Sequence, residues 1–139
     1  KVLIVEDGLA SNYPHLSLLD SLKMDYIIGN QKEALACDYL IKQGLKLVEK
    51  NFSCKLGEID LIMQDKKENR LIFVEVRYRK TTDFGSSAAS VNLTKQRKVI
   101  RTAQIYLKQT HQTTRLYRFD VVAMSHDRIR WIQSAFAST

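Results

Sequence analysis

Two short apolar runs, each interrupted by one acid, constrain this 139-residue chain more than any other feature. Ile59-Asp60-Leu61-Ile62-Met63 and Leu71-Ile72-Phe73-Val74-Glu75-Val76 are β-like, and the polar stretch Lys66-Lys67-Glu68-Asn69 separates them. Apolar runs joined by a four-residue polar loop read as a hairpin, with strands at Glu58–Gln64 and Arg70–Arg79. Pairing Asp65 with Arg70 across the loop sets Ile62 opposite Phe73 and Asp60 opposite Glu75. Directly opposed residues have Cβ atoms about 4.5–5.5 Å apart. The inference depends on that register, because a slip of one residue changes which face each side chain meets.

A buried carboxylate without a partner is costly, so each acid needs a cation, a donor cluster or a proton. Opposed like charges are destabilising, and a divalent metal between them is the economical explanation. A hard cation such as Mg²⁺ takes one or two carboxylates and keeps several waters. Arg77 follows Glu75 by two residues and so shares its strand face. An acid beside a metal, with a cation two residues on, suits attack by water on a phosphodiester. The plainer alternative is that Arg77 only pairs with one of the acids.

The rest of the chain alternates helix and strand. Residues 30–43 read as a helix, with Leu35, Tyr39 and Leu40 at helical spacing and Gly44 as its stop. Glu33, Ala36, Cys37 and Leu40 share one face, which puts an acid on the buried stripe. Either Glu33 complements the helix dipole at an exposed end, or it belongs to the site. Leu45–Glu49 is a short strand, and residues 81–93 form a Ser- and Gly-containing loop. Thr94 is the expected N-cap of a helix reaching about Gln109, with Val99, Ile100, Ala103, Tyr106 and Leu107 as its apolar stripe. Tyr117–Met124 and Ile129–Gln133 complete the strands. Val2–Val5 is a β-like run in a stretch that is otherwise hard to read. The expected organisation is an N-terminal arm or extension over residues 1–23 and one α/β domain over residues 24–139.

Charge is unevenly spread. Residues 1–93 carry 13 Lys/Arg and 13 Asp/Glu, whereas residues 94–139 carry 9 and 2, so the whole net charge of +7 lies in the last third. Such asymmetry points to a polyanion, with nucleic acid first, or to a solubilising face. Arg79, Lys80, Lys95, Arg97, Arg101 and Lys108 are the expected contacts. With no base-reading motif and no regular aromatic platform, those contacts go to the phosphate backbone. Two cysteines, Cys37 and Cys54, are too few for a disulfide framework. No apolar run approaches the ~20 residues of a membrane span. The expectation is a reduced, cytoplasmic protein with no membrane partner.

The stretches Gly57-Glu-Ile-Asp-Leu-Ile62 and Phe73-Val-Glu-Val-Arg-Tyr-Arg79 resemble the D…(D/E)-x-K signature of restriction-endonuclease-like nucleases. More closely, the chain is similar to the YraN-like bacterial family, which is related to Holliday-junction resolvases. Glu33-Ala-Leu-Ala36, Asn51-Phe52, Phe84-Gly85, Lys95-Gln-Arg97 and Arg118-Phe-Asp-Val-Val122 extend the likeness over roughly residues 26–136. The resemblance implies a restriction-endonuclease-like α/β fold, with a central mixed sheet of about five strands flanked by helices. It implies a Mg²⁺- or Mn²⁺-dependent endonuclease acting on branched or structured DNA, or a catalytically weak DNA-binding module of the same fold. Asp60 and Glu75 fall on the metal-binding acids, and Glu33 on the helix acid that completes the set. Arg77 stands where the signature has lysine. An arginine stays protonated and can hold a phosphate, but it cannot act as a base. Lys80 or Lys95 is then the candidate source of the missing ammonium. Asp120 is expected to be structural, paired with a neighbouring arginine. Paired cuts across a junction favour a two-fold homodimer, in which residues 1–23 could be an exchanging arm.

Overall fold

The computed structural model describes residues 2–5 (backbone only), 31–79, 91–125 and 128–138. Its strands are β1 (Val2–Val5), β2 (Lys46–Cys54), β3 (Gly57–Asp65), β4 (Arg70–Tyr78), β5 (Tyr117–Ser125) and β6 (Arg128–Phe136). Its helices are α1, described over residues 31–42, and α2 (Leu93–Gln109). The strands form one sheet in the order β1-β6-β5-β4-β3-β2, parallel at β4–β5 and antiparallel elsewhere. This is the restriction-endonuclease-like α/β architecture expected from the sequence, with a mixed sheet between helices. The sixth strand, β1, comes from the stretch assigned to an arm and pairs Val2–Val5 with residues 129–132 of β6.

Two packed layers follow from strand alternation. Leu61, Met63, Ile72, Val74 and Val76 meet Ala36, Cys37, Tyr39 and Leu40 of α1 on one face. Leu71, Phe73 and Phe119 meet Val99, Ala103, Tyr106 and Leu107 of α2 on the other. An aromatic group thickens the second layer: Phe73 stacks on Phe119 at 5.5 Å, and Phe119 on Phe136 at 5.0 Å. α1 ends as its glycine requires. Gly44 takes φ +104°, its N–H reaches the Ile41 carbonyl at 3.0 Å, and Leu45 N–H reaches Leu40 at 3.1 Å. These two bonds are the Schellman closure of a helix.

Three boundaries differ from the sequence expectation. Asn92, not Thr94, caps α2: its Oδ1 accepts the Lys95 N–H at 2.8 Å. Buried Val91 fixes the approach one residue earlier, and its carbonyl accepts the Gln96 amide at 2.7 Å. β2 runs to Cys54 and returns into β3 through Lys55-Leu56. That turn carries no Gly, Pro, Asn or Asp at its two central positions, and its one turn signal is Gly57 directly after them. β6 extends to Phe136, whose ring is drawn into the aromatic stack.

Candidate functional site

The β3–β4 ladder has the expected register, Asp65 to Arg70 through Leu61 to Val74, and stops at that last pair. Beyond it β3 stays paired with β2, and β4 stays paired with β5. The hairpin therefore opens at its far end. Val76 is left without β3 as a partner, and side chains take over its peptide groups. Its N–H donates to Asp60 Oδ2 at 2.8 Å, and its carbonyl accepts the Lys32 ammonium of α1 at 3.4 Å. Asp60 thus lies in the slot between the two strands, in place of a ladder bond.

Three other groups close on that slot. Glu75 alternates with Phe73 and Leu71 and so faces α2. Asp60 and Glu75 are only 7% and 8% exposed, and each feels the other's charge. Burial, and then the Asp60 charge, push the Glu75 carboxyl up to about 7 against the opposing pull of Lys95. Lys95, in the first turn of α2, sets its ammonium 3.4 Å from Glu75 Oε2. The other oxygen, Oε1, is buried with no hydrogen-bond partner. From the opposite layer, Glu33 sits one turn before Ala36 and Cys37 on the buried face of α1. Burial first, and the Asp60 charge second, raise its pKa.

Glu33, Asp60 and Glu75 are therefore linked in series through Asp60, with one end acid from each face of the sheet. They do not close into a tight triad: among the described residues no three His, Cys, Asp or Glu side chains gather closely enough to hold a metal ion. The close pair is Asp60 with Glu75. An orphaned buried carboxylate oxygen beside a second carboxylate is a donor set that fits a hard divalent cation with several waters.

The remaining sequence-based candidates have definite places. Arg77 is half-buried at the end of β4, and the ammonium on Glu75 belongs to Lys95. Arg79 is exposed just past that strand, and Lys80 lies outside the described residues. Arg97, Arg101 and Lys108 are exposed along α2, joined by Lys98, which the sequence reading passed over. Asp120 is fully buried and structural: its carboxylate accepts from Arg118 Nε at 3.0 Å, Trp131 Nε1 at 2.9 Å and Ser134 N–H at 2.9 Å.

Two polar residues at the slot were not singled out for a role from sequence. One is Lys32. The other is Asn51 of β2, whose flanking pairs Lys50–Leu61 and Phe52–Ile59 place it opposite Asp60. Asn51 has φ +53°, and its side chain favours the ionised form of Glu33. Its sequence signals were its place in the Asn51-Phe52 stretch of the family resemblance and a residue type that tolerates left-handed backbone.

The profile of "Uncharacterised protein family UPF0102" matches residues 32–124, which include α1, both acid-bearing strands and most of β5. A UPF0102 protein of Saccharophagus degradans is 49% identical over 109 residues, covering 78% of this chain and 91% of that protein. One of Vibrio parahaemolyticus is 48% identical over 114 residues, covering 79% and 92%. One of Coxiella burnetii is 47% identical over 110 residues, covering 78% and 90%. The chain belongs to the YraN-like family UPF0102.

Proposed function

We propose that this protein is a metal-dependent nuclease-like protein that hydrolyses phosphodiesters in branched or structured DNA. The observation that carries the reading is the buried Asp60–Glu75 pair, with one carboxylate oxygen unpartnered and a lysine ammonium on the other. Asp60 and Glu75 would hold Mg²⁺ or Mn²⁺, with Glu33 adding negative charge from α1. The cation supplies Lewis-acid polarisation of the phosphate and a lowered pKa for attacking water. Asp60 keeps one oxygen on the Val76 N–H, which fixes its carboxylate plane in the slot. Lys95 sits beside Glu75, and its ammonium would stabilise charge developing on a phosphoryl oxygen. Arg77 grips a non-bridging phosphate oxygen, the task its planar fork suits. Arg97, Arg101 and Lys108 position the backbone along α2.

The test is cleavage of matched branched, flapped and linear DNA with Mg²⁺ or Mn²⁺. The expected result is metal-dependent cleavage of the branched substrate, lost in Asp60→Asn and in Glu75→Gln. DNA binding without cleavage would instead support the second reading, a weak or inactive binding module of the same fold. Two observations favour that alternative: arginine at position 77, and the absence of a close triad among the described acids. Arg77→Lys is expected to raise cleavage if the remaining acids can bind metal, and to leave a binding module inactive if they cannot.

A further inference from the structure

We infer that Lys32 is a positioning residue that fastens the first described turn of α1 to the open end of the β3–β4 hairpin and thereby holds Glu33 over Asp60. The inference rests on the nuclease-like reading of the acids, but the contact itself is independent of that reading. The ladder ends at Leu61–Val74, so the Val76 carbonyl has no β3 partner. Lys32 Nζ donates to it at 3.4 Å, in a partly buried contact that joins residues 44 apart in sequence. The residue before Val76, Glu75, is one of the acids, and the Val76 N–H is held by the other. Lys32 therefore ties α1 to the residue on which the acid pair is already anchored.

The neighbouring residue gains from this tie. Glu33 sits next to Lys32 in the first described turn of α1. Its carboxylate is half-buried and faces the Asp60 and Glu58 charges, both of which repel it. Without a counter-charge, that repulsion would push Glu33 away from the acids. The Lys32 ammonium supplies that counter-charge and a fixed attachment point together. An ammonium on a flexible stem reaches a carbonyl as a point donor. Outer residues that orient metal-binding groups typically change metal affinity by about 10–100-fold when removed.

The test compares the full chain with Lys32→Met, which keeps the length of the stem, and Lys32→Arg, which keeps the charge and a donor. In metal-free protein, Lys32→Met is expected to move the ¹³C resonances of the Val76 carbonyl and the Glu33 carboxyl. Lys32→Arg is expected to return both toward their original positions. Resonances that stay put in Lys32→Met, or that Lys32→Arg does not recover, overturn the inference. Mn²⁺ titration forms the second arm: Kd is expected to rise about tenfold in Lys32→Met and to stay near the original in Lys32→Arg. An unchanged Kd in Lys32→Met also overturns it. Absence of Mn²⁺ binding in the unaltered chain sinks the nuclease-like reading instead, and the metal-free resonances then decide the role of Lys32 alone.

Discussion

At the scale of single residues, the site is a balance of carboxylates that would repel one another without compensation. Glu75 holds its proton more tightly in the folded protein than in the unfolded chain, because burial and Asp60 raise its pKa to about 7. The sign of the linkage follows. Below pH ~4.5 both states are protonated; between there and about 7 the unfolded chain ionises first, so stability falls as pH rises. Above that window the loss is complete and constant. In metal-free protein the thermal midpoint should therefore drop across this interval, and Glu75→Gln should remove most of the drop. A divalent cation should raise the midpoint more at pH 8 than at pH 5; equal shifts at both values would argue against binding at these acids. Asp60 and Glu75 were legible in the sequence because an acid inside an apolar strand demands a reason. Lys32 and Asn51 were not, because their roles depend on how α1 and a left-handed residue of β2 approach the slot. Lys95 was visible as a cation, but only the placement of α2 puts it on Glu75.

At the scale of elements, α2 does two things at once. Its first turn delivers Lys95 to the acids, and its exposed side carries Arg97, Lys98, Arg101 and Lys108. Arg97→Ala with Arg101→Ala should weaken binding to every DNA sequence and flatten the salt dependence by about two phosphate contacts. An unchanged salt slope would place any bound DNA elsewhere. The depth at which α2 sits depends on Gly57 at the start of β3. A Cβ there would lie 3.0 Å from Thr102 Oγ1 and 3.3 Å from Lys98 Cβ. Thr102 cannot readily turn aside, since its hydroxyl is bonded to the Lys98 carbonyl at 2.7 Å. Gly57→Ala should therefore cost about 1–3 kcal/mol, read as a lower thermal midpoint, and should shift Lys95 relative to Glu75. The β3–β4 hairpin and its register were readable because composition and loop agree there. The β2–β3 turn and the far end of β6 were not, since one has Lys-Leu at its centre and the other is held by an aromatic stack built from three strands.

At the scale of the whole molecule, a mixed sheet with a helix on each face places Glu33 and Lys95 on opposite sides of one open hairpin end, with the Asp60–Glu75 pair between them. The fold class followed from the sequence because strand and helix periods were clear and the apolar faces matched. The separation of the acids between two layers did not follow, since it depends on where the β3–β4 ladder stops. Asp120 stands apart as the fold's own buried acid: Asp120→Ala would leave Arg118, whose side chain is 10% exposed, with only the half-exposed Glu68 at 3.6 Å, and would orphan the Trp131 Nε1 and Ser134 N–H donors. That should cost about 3–5 kcal/mol by denaturant unfolding while leaving the acid pair's metal affinity intact in the protein that remains folded. Among the described residues, no helix is long and apolar enough to cross a membrane. The measurement closest to the central claim is the anomalous signal of Mn²⁺ in crystals of the unaltered protein. The arrangement of carboxylates predicts one peak within coordination distance of both Asp60 and Glu75, gone in Glu75→Gln. Mn²⁺ peaks only at surface acids, with none at this pair, would contradict it.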